Sequence, residues 1–268
     1  LYFLRRTLDA PGALMAADPP YETAKTFTRF AGTNPAVSPD GRFLLYGLAT
    51  PQGENLFYDL YLLDLKTRRG QRLTQGLRAN DPAWSPSGEE IVFVKNEPPH
   101  YALYLMRADG GEIRPLWRPE GLEQAFTPAW SPKGDRIVFA RYRPEDGVRL
   151  WTIRPDGSGL APLHEGPPLG EEIQPAWSPD GRYVFFAADL TGVFNIYAYD
   201  TATSCLYRVT NVLTGAYEPA VSPDGKTLAY TGYSTYGYDQ YVMALEPSTW
   251  KVYTSSAAPR VVPSVPPP

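Results

Sequence analysis

Apolar and polar positions along this chain come in short runs, and the runs recur in the same order. Ile91-Val92-Phe93-Val94 and Ile137-Val138-Phe139-Ala140 are β-branched and aromatic, which predicts strands. Leu60-Tyr61-Leu62-Leu63-Asp64-Leu65, Leu103-Tyr104-Leu105-Met106, Leu150-Trp151-Thr152-Ile153 and Asn195-Ile196-Tyr197-Ala198-Tyr199 predict a second kind of strand. Before the first kind stands a short apolar piece, Pro-Ala-Trp-Ser. Its Pro is tolerated at the start of a strand, where no ladder bond needs its missing N–H. After the second kind comes a polar turn, such as Asp109-Gly110-Gly111, Asp156-Gly157-Ser158 or Asp200-Thr201-Ala202. A last strand then follows, as in Gln71-Arg72-Leu73-Thr74 or Tyr207-Arg208-Val209-Thr210.

Each unit is marked by a proline-serine-glycine signature. Pro175-Ala176-Trp177-Ser178-Pro179-Asp180-Gly181 has counterparts beginning at Pro35, Pro82, Pro128 and Pro219. The second prolines, at 39, 86, 132, 179 and 223, are 47, 46, 47 and 44 residues apart. Ser-Pro-Asp-Gly is turn chemistry: Pro presets φ, Asp braces the backbone, and Gly takes positive φ. Four antiparallel strands per repeat of this size predict an all-β β-propeller of four-stranded antiparallel blades. Five clear blades are expected at about 35–75, 82–118, 128–165, 175–211 and 219–255, within a propeller spanning 32–255. Residues 1–31 read as part of a sixth blade, its inner half upstream, or as the closing strand of a five-bladed ring. Residues 256–268 read as a Pro-rich linker or tail.

Pro-Ala-Trp-Ser-Pro-Asp-Gly followed by an apolar strand resembles the PD40 (WD40-like) repeat of TolB-like propellers, over residues 35–255. The same repeat occurs in the propellers of prolyl-oligopeptidase-like peptidases. The first resemblance implies a non-catalytic protein-interaction scaffold of the bacterial cell envelope, periplasmic or outer-membrane associated, with a protein partner. The second implies a substrate-gating propeller domain of a hydrolase whose catalytic domain lies outside these residues. Fold alone does not choose between them.

Composition narrows the classes. A formal net charge of −4 supplies no basic field for nucleic acid. One cysteine, Cys205, forms no internal disulfide framework. No run of 18 apolar residues predicts a transmembrane helix. Catalytic chemistry is thin as well. Gly232-Tyr233-Ser234-Thr235-Tyr236 misses a nucleophile elbow, and His100 and His164 both precede it. Two separated histidines and one cysteine make no transition-metal set, and Asp40, Asp109, Asp156, Asp180 and Asp224 read as turn residues. No cofactor is expected.

Binding is expected on the face whose loops vary in length, those following the second and fourth strands of each blade. The residue before each repeat Pro should stand at the channel mouth there. These are Asn34, Asp81, Thr127, Gln174 and Glu218, all polar, as solvated loop ends also are. Tyr233, Tyr236 and Tyr238 lie in the last such loop and offer contact area with a polar handle, or pack on the neighbouring blade. Trp84, Trp130 and Trp177 are expected between blades, and Trp117, Trp151 and Trp250 in outer-strand core. Arg141, Arg143 and Arg149 with Tyr142 read as a small solvated basic cluster.

Overall fold

The computed structural model describes residues 1–7, 10–18, 21–29, 33–165, 170–235 and 237–253. Among them the only helical segment is a 3-10 turn at Pro247–Thr249, and no helix is long and apolar enough to cross a membrane.

The first sheet holds β1 (Tyr2–Thr7), β2 (Ala10–Ala17) and β3 (Ala24–Arg29). The first repeat forms β4 (Thr33–Val37), β5 (Phe43–Gln52), β6 (Asn55–Asp64) and β7 (Gly70–Arg72). The second forms β8 (Ala79–Trp84), β9 (Glu90–Glu97), β10 (His100–Arg107) and β11 (Arg114–Trp117), and the third β12 (Gln124–Trp130), β13 (Ile137–Arg143), β14 (Gly147–Ile153) and β15 (Ala161–Pro162). These two sheets touch through one parallel bridge, Tyr101 to Gln124. The fourth repeat forms β16 (Glu172–Trp177), β17 (Tyr183–Ala188), β18 (Asn195–Asp200) and β19 (Cys205–Arg208). The last has three strands, β20 (Ala216–Val221), β21 (Thr227–Ser234) and β22 (Gly237–Ala244).

Repeat spacing puts an outer strand after β22. Instead Trp250 buries against Tyr183 and Phe185, at centroid distances of 5.1 and 5.6 Å, and β23 (Lys251–Val252) joins β19 of the preceding sheet. Burial of the indole there anchors the crossing, because a large aromatic side chain gains more from water exclusion than a two-residue strand gains from pairing.

The Ser-Pro-Asp-Gly turns repeat the same contacts. Ser178 donates to Asp180 at 2.5 Å, Arg182 N–H donates to the same carboxylate at 3.0 Å, and Tyr183 N–H donates to Ser178 Oγ at 2.8 Å. Ser38–Asp40 and Ser222–Asp224 do the same. These bonds favour the charged carboxylate and hold Asp40, Asp180 and Asp224 below the usual range. Gly181 at φ +73° completes the turn, and a Cβ added there would come within 3.2 Å of the Pro132 ring of the previous turn.

Packing between sheets is continuous for most of the ring. Phe93, Tyr104 and Leu45 fill one junction; Phe139, Leu105 and Trp130 the next; Phe186, Tyr197 and Leu150 the third; Phe185, Trp250 and Leu228 the fourth. Trp84 Nε1 donates to Ala36 O at 3.2 Å and Trp177 Nε1 to Ala129 O at 3.3 Å, so these two repeat tryptophans bond across blades as well as pack, while Trp130 Nε1 is buried without a partner.

Candidate functional site

Asp81, Thr127, Gln174 and Glu218 stand within the inner strands β8, β12, β16 and β20 rather than at loop ends. Each strand carries a bulge there: register slips between Asn80 and Ala83, Phe126 and Ala129, Ile173 and Ala176, and Tyr217 and Ala220. All four residues have left-handed backbone, with φ of +47°, +44°, +56° and +53°. Such bulges re-aim a side chain and release a backbone N–H from the ladder. The freed N–H groups go to the neighbouring unit. Thr127 N–H donates to Asp81 Oδ2 at 3.1 Å, and Glu218 N–H donates to Gln174 Oε1 at 3.0 Å. Thr127 is too short to repeat this toward Gln174, and its Oγ1 is buried with no hydrogen-bond partner. Asn34 occupies the same place in β4; its side chain lies outside the described residues.

At the last unit this row meets an aromatic one. Thr231 Oγ1 donates to Glu218 Oε2 at 2.7 Å, and Gln240 Nε2 donates to Thr231 Oγ1 at 2.8 Å. Beside Glu218 begins a row of rings: Phe194–Tyr217 at 5.1 Å, Tyr217–Tyr238 at 6.4 Å and Tyr238–Tyr233 at 5.0 Å. Tyr233 and Tyr238 are not loop residues. They are cross-strand partners near the end of the β21–β22 hairpin, which continues the strand alternation to Ser234 and Gly237. Both are exposed, Tyr238 at 69%, and neighbouring Leu213 is 91% exposed. The flanking loop is tied to the hairpin: Tyr233 N–H donates to Gly215 O at 3.0 Å, and Thr214 Oγ1 donates to Tyr233 O. Tyr236 lies outside the described residues.

The arginine cluster differs from its expectation. Arg141 is only 11% exposed, donates to both oxygens of Glu123, and lies over the Trp151 and Trp117 rings at 4.3 and 5.0 Å. Arg143 pairs with Glu123, Glu145 and Asp146. Arg149 is buried and donates to His164 O at 3.3 Å. Carboxylates from three positions and two indole faces draw these cations out of water, so they are not a free basic surface.

A buried polar set was not foreseen. The first, third and fourth repeats can be compared at one place. Asp59 accepts from Thr74 Oγ1 at 2.8 Å, and Thr74 Oγ1 accepts Leu60 N–H at 2.9 Å. Asn195 accepts from Thr210 Oγ1 at 3.0 Å, and Thr210 Oγ1 accepts Ile196 N–H at 2.8 Å. In the third repeat Arg149 and His164 hold those positions. There Glu172, fully buried, accepts Leu150 N–H at 3.0 Å and bonds His164 Nε2 at 2.7 Å. Where Glu172 stands, the inner strands β8, β12 and β20 carry Ala79, Ala125 and Ala216. The matching signal is the 15-residue step from Asp59 to Thr74, Arg149 to His164 and Asn195 to Thr210, visible only when repeats are superposed.

Among the described residues no group of three or more His, Cys, Asp or Glu is disposed to hold a metal ion. Among the described residues neither histidine bonds a serine hydroxyl: His164 bonds Glu172 and faces Glu165 O, and His100 Nδ1 is buried without a partner.

Residues 118–268 match the family model of the TolB β-propeller domain (PD40), more than half of the chain. The chain therefore belongs to that family. It is similar in fold to TolB from Acinetobacter baumannii, with a TM-score of 0.75 and 19% identity over 91% of this chain and 60% of that one. It is similar also to a puromycin hydrolase, with a TM-score of 0.62 and 17% identity over 90% of this chain and 41% of that one. Over 33% of its length it is 32% identical to YuxL of Bacillus subtilis, an uncharacterised peptidase, of which it spans 16%. TolB and peptidase propellers thus both stand among its relatives.

Proposed function

We propose that this propeller is a non-catalytic protein-interaction scaffold of the bacterial cell envelope, periplasmic or outer-membrane associated, holding a protein partner on the face where the aromatic row emerges. One observation carries the reading: Phe194, Tyr217, Tyr238 and Tyr233 form a row of rings that is exposed at Tyr233 and Tyr238. Tyrosine pairs a large rigid contact area with a hydroxyl that can bond across an interface, and such side chains dominate binding energy where they are enclosed by a partner. Asp81, Thr127, Gln174 and Glu218 add polar groups to the adjoining inner wall, with Glu218 joining the two sets. Membership of the TolB family supports the envelope setting.

A second reading has its own support in the peptidase relatives: the propeller domain of a hydrolase, screening substrates for a catalytic domain outside these residues. One experiment addresses both. The protein and its Tyr233→Ala/Tyr238→Ala variant are used to capture partners from bacterial envelope extracts, and melting temperatures are measured alongside. An interface centred on these rings loses at least about thirty-fold in affinity, since two enclosed aromatic anchors contribute about 2 kcal/mol or more together, while melting is unchanged. Equal capture by both forms removes the aromatic row from the interface. Amide-hydrolysing activity in the native protein isolated from source cells would favour the second reading.

A further inference from the structure

The crossing of the last repeat onto the sheet before it leaves a cleft. In the second and third repeats the turn after the third strand sits close on the preceding sheet. A Cβ on Gly110 would stand 2.9 Å from Leu73 O, and one on Gly157 3.3 Å from Leu116 O. After β22 that place is taken by residues 245–250, whose 3-10 turn at Pro247–Thr249 leads into β23. Between this bridge and the Ser-Pro-Asp-Gly turns of the fourth and fifth repeats lies a cleft of about 260 Å³, and every residue lining it is among those described. Pockets for drug-sized ligands run from roughly 300 to 1,000 Å³, so the guest this one suits is a single side chain.

The lining says which side chain. Tyr183 and Trp250 meet at 78° with centroids 5.1 Å apart, and Phe185 lies 5.6 Å from Trp250. Asp180 and Asp224 are in the wall, and no lysine or arginine is. In each aspartate Oδ1 takes the bonds of its own turn, and among the described residues Oδ2 bonds nothing. The cations nearby are already placed. Arg182 bonds Asp200 through Nε and Nη2 at 3.1 and 2.8 Å, and Lys226 gives Asp224 its backbone N–H at 3.1 Å. Aromatic faces beside ionised carboxylates call for a flat cation with an apolar stem.

That combination is built into the chain twice. Arg42 lies over the Phe43 ring at 4.7 Å and bonds Asp64, and Arg182 lies over the Tyr183 ring at 5.0 Å and bonds Asp200. A guanidinium is planar and weakly hydrated, so it can lie on a ring while its N–H fork meets a carboxylate. Phe43 pairs with Asp64 and Tyr183 with Asp200; at the same register the fifth repeat has Thr227 opposite Ala244, preceded by Lys226. The fifth repeat supplies no arginine of its own there.

We propose that this cleft binds an arginine side chain of a partner protein, with the guanidinium against Tyr183 and Trp250 and bonded to the carboxylates of Asp180 and Asp224. The site is separate from the tyrosine row. It lies at the Thr227 end of β21, and Tyr233 is six residues along that strand, about 20 Å away.

Heteronuclear NMR on the whole chain tests it, with the indole N–H signal of Trp250 assigned through Trp250→Phe. Nα-acetyl-arginine methylamide should shift that signal saturably, with a dissociation constant on the order of 1 mM, and leave the Trp84 signal in place. The citrulline analogue has the same shape without the charge and should bind at least tenfold more weakly. So should the arginine probe to Asp180→Asn/Asp224→Asn, which keeps the turn acceptors; equal melting temperatures check that. Tyr183→Leu touches neither carboxylate and should weaken binding at least about threefold. Free arginine carries a carboxylate that both aspartates repel, so it should bind less tightly than the blocked form. Absence of a saturable Trp250 shift overturns the proposal, as does equal binding by citrulline or by the double asparagine variant. Tighter binding of free arginine would overturn the protein source and make the guest a metabolite.

Discussion

Removing Glu172 tests how the third and fourth repeats are held together. The carboxylate is fully buried and serves two partners, Leu150 N–H at 3.0 Å and His164 Nε2 at 2.7 Å, while Arg149 bonds the His164 carbonyl beside them. Glu172→Ala leaves an amide and an imidazole short of their acceptor, next to the buried Arg149 guanidinium. Breaking a buried pair by deleting one member costs about 3–5 kcal/mol, because the survivor keeps its desolvation penalty. For a domain of this size that lowers the melting temperature by roughly 6–20 °C. Alanine is not foreign to the position, since Ala79, Ala125 and Ala216 stand at its equivalents. What differs is the company. At two other junctions the amide is satisfied by Thr74 or Thr210, themselves bonded to Asp59 or Asn195. The triple variant Arg149→Asn/His164→Thr/Glu172→Ala transplants that set. It should regain at least half of the stability that Glu172→Ala loses, a strongly non-additive result expected of residues in one network. Thermal and urea unfolding of wild type, single and triple variants decide it. A single variant within about 1 kcal/mol of wild type would refute the reasoning, and so would a triple variant no more stable than the single.

The same pair predicts a pH response. Burial opposes charge on His164, but the hydrogen bond and carboxylate of Glu172 outweigh it and raise the imidazole above its ordinary value. A folded-state pKa above the unfolded one stabilises fully below about pH 6.5 and is lost as pH rises through the raised value. Wild type should therefore melt lower at pH 8.5 than at pH 6, relative to the triple variant; the opposite slope would count against it. Gly110→Ala forces a side chain onto φ +89° with its Cβ 2.9 Å from Leu73 O, so a loss of about 2–4 kcal/mol is expected in urea unfolding. A neutral outcome would mean the turn can move aside. Thr127→Asn should raise the melting temperature by about 2–4 °C, since asparagine accepts the left-handed region that a β-branched residue resists, and Thr127 Oγ1 has no bond to lose. A lowered melting point would show that the threonine methyl packs better than its backbone suffers.

The strands were legible because side-chain alternation and turn chemistry are local. Ile91–Val94 is in β9, Ile137–Ala140 in β13, and Ser178, Asp180 and Gly181 make the turn their types predict. The candidate site was legible only in its residue names. Left-handed backbone at Asp81, Thr127, Gln174 and Glu218 has no local signature, since none is glycine; it follows from a bulge that pairing with the next strand imposes. Arg141 and Arg143 gave no hint of Glu123, about twenty positions away, which neutralises them. Trp250 was placed in core correctly, yet which sheet it enters depends on the room beside Tyr183 and Phe185, a property of packing rather than pattern. Glu172 hid because one unusual residue means little until its equivalents prove to be alanine.

The repeat-position bonds between neighbours all point one way. Trp84 and Trp177 donate backward to Ala36 and Ala129, and the Thr127 and Glu218 amides donate backward to Asp81 and Gln174. At these positions the later unit donates and the earlier one accepts, like a studded brick, whereas at the Glu172 junction Leu150 N–H donates forward. During synthesis a new unit meets, at these positions, acceptors that are already folded, so order can spread along the growing chain without waiting for the ring to form. In the gene, a tandem duplication of one 44–47-residue segment yields a copy that fits its parent at once. Mirror-symmetric contacts would have no such polarity, and lengthening the array would require both faces to change together.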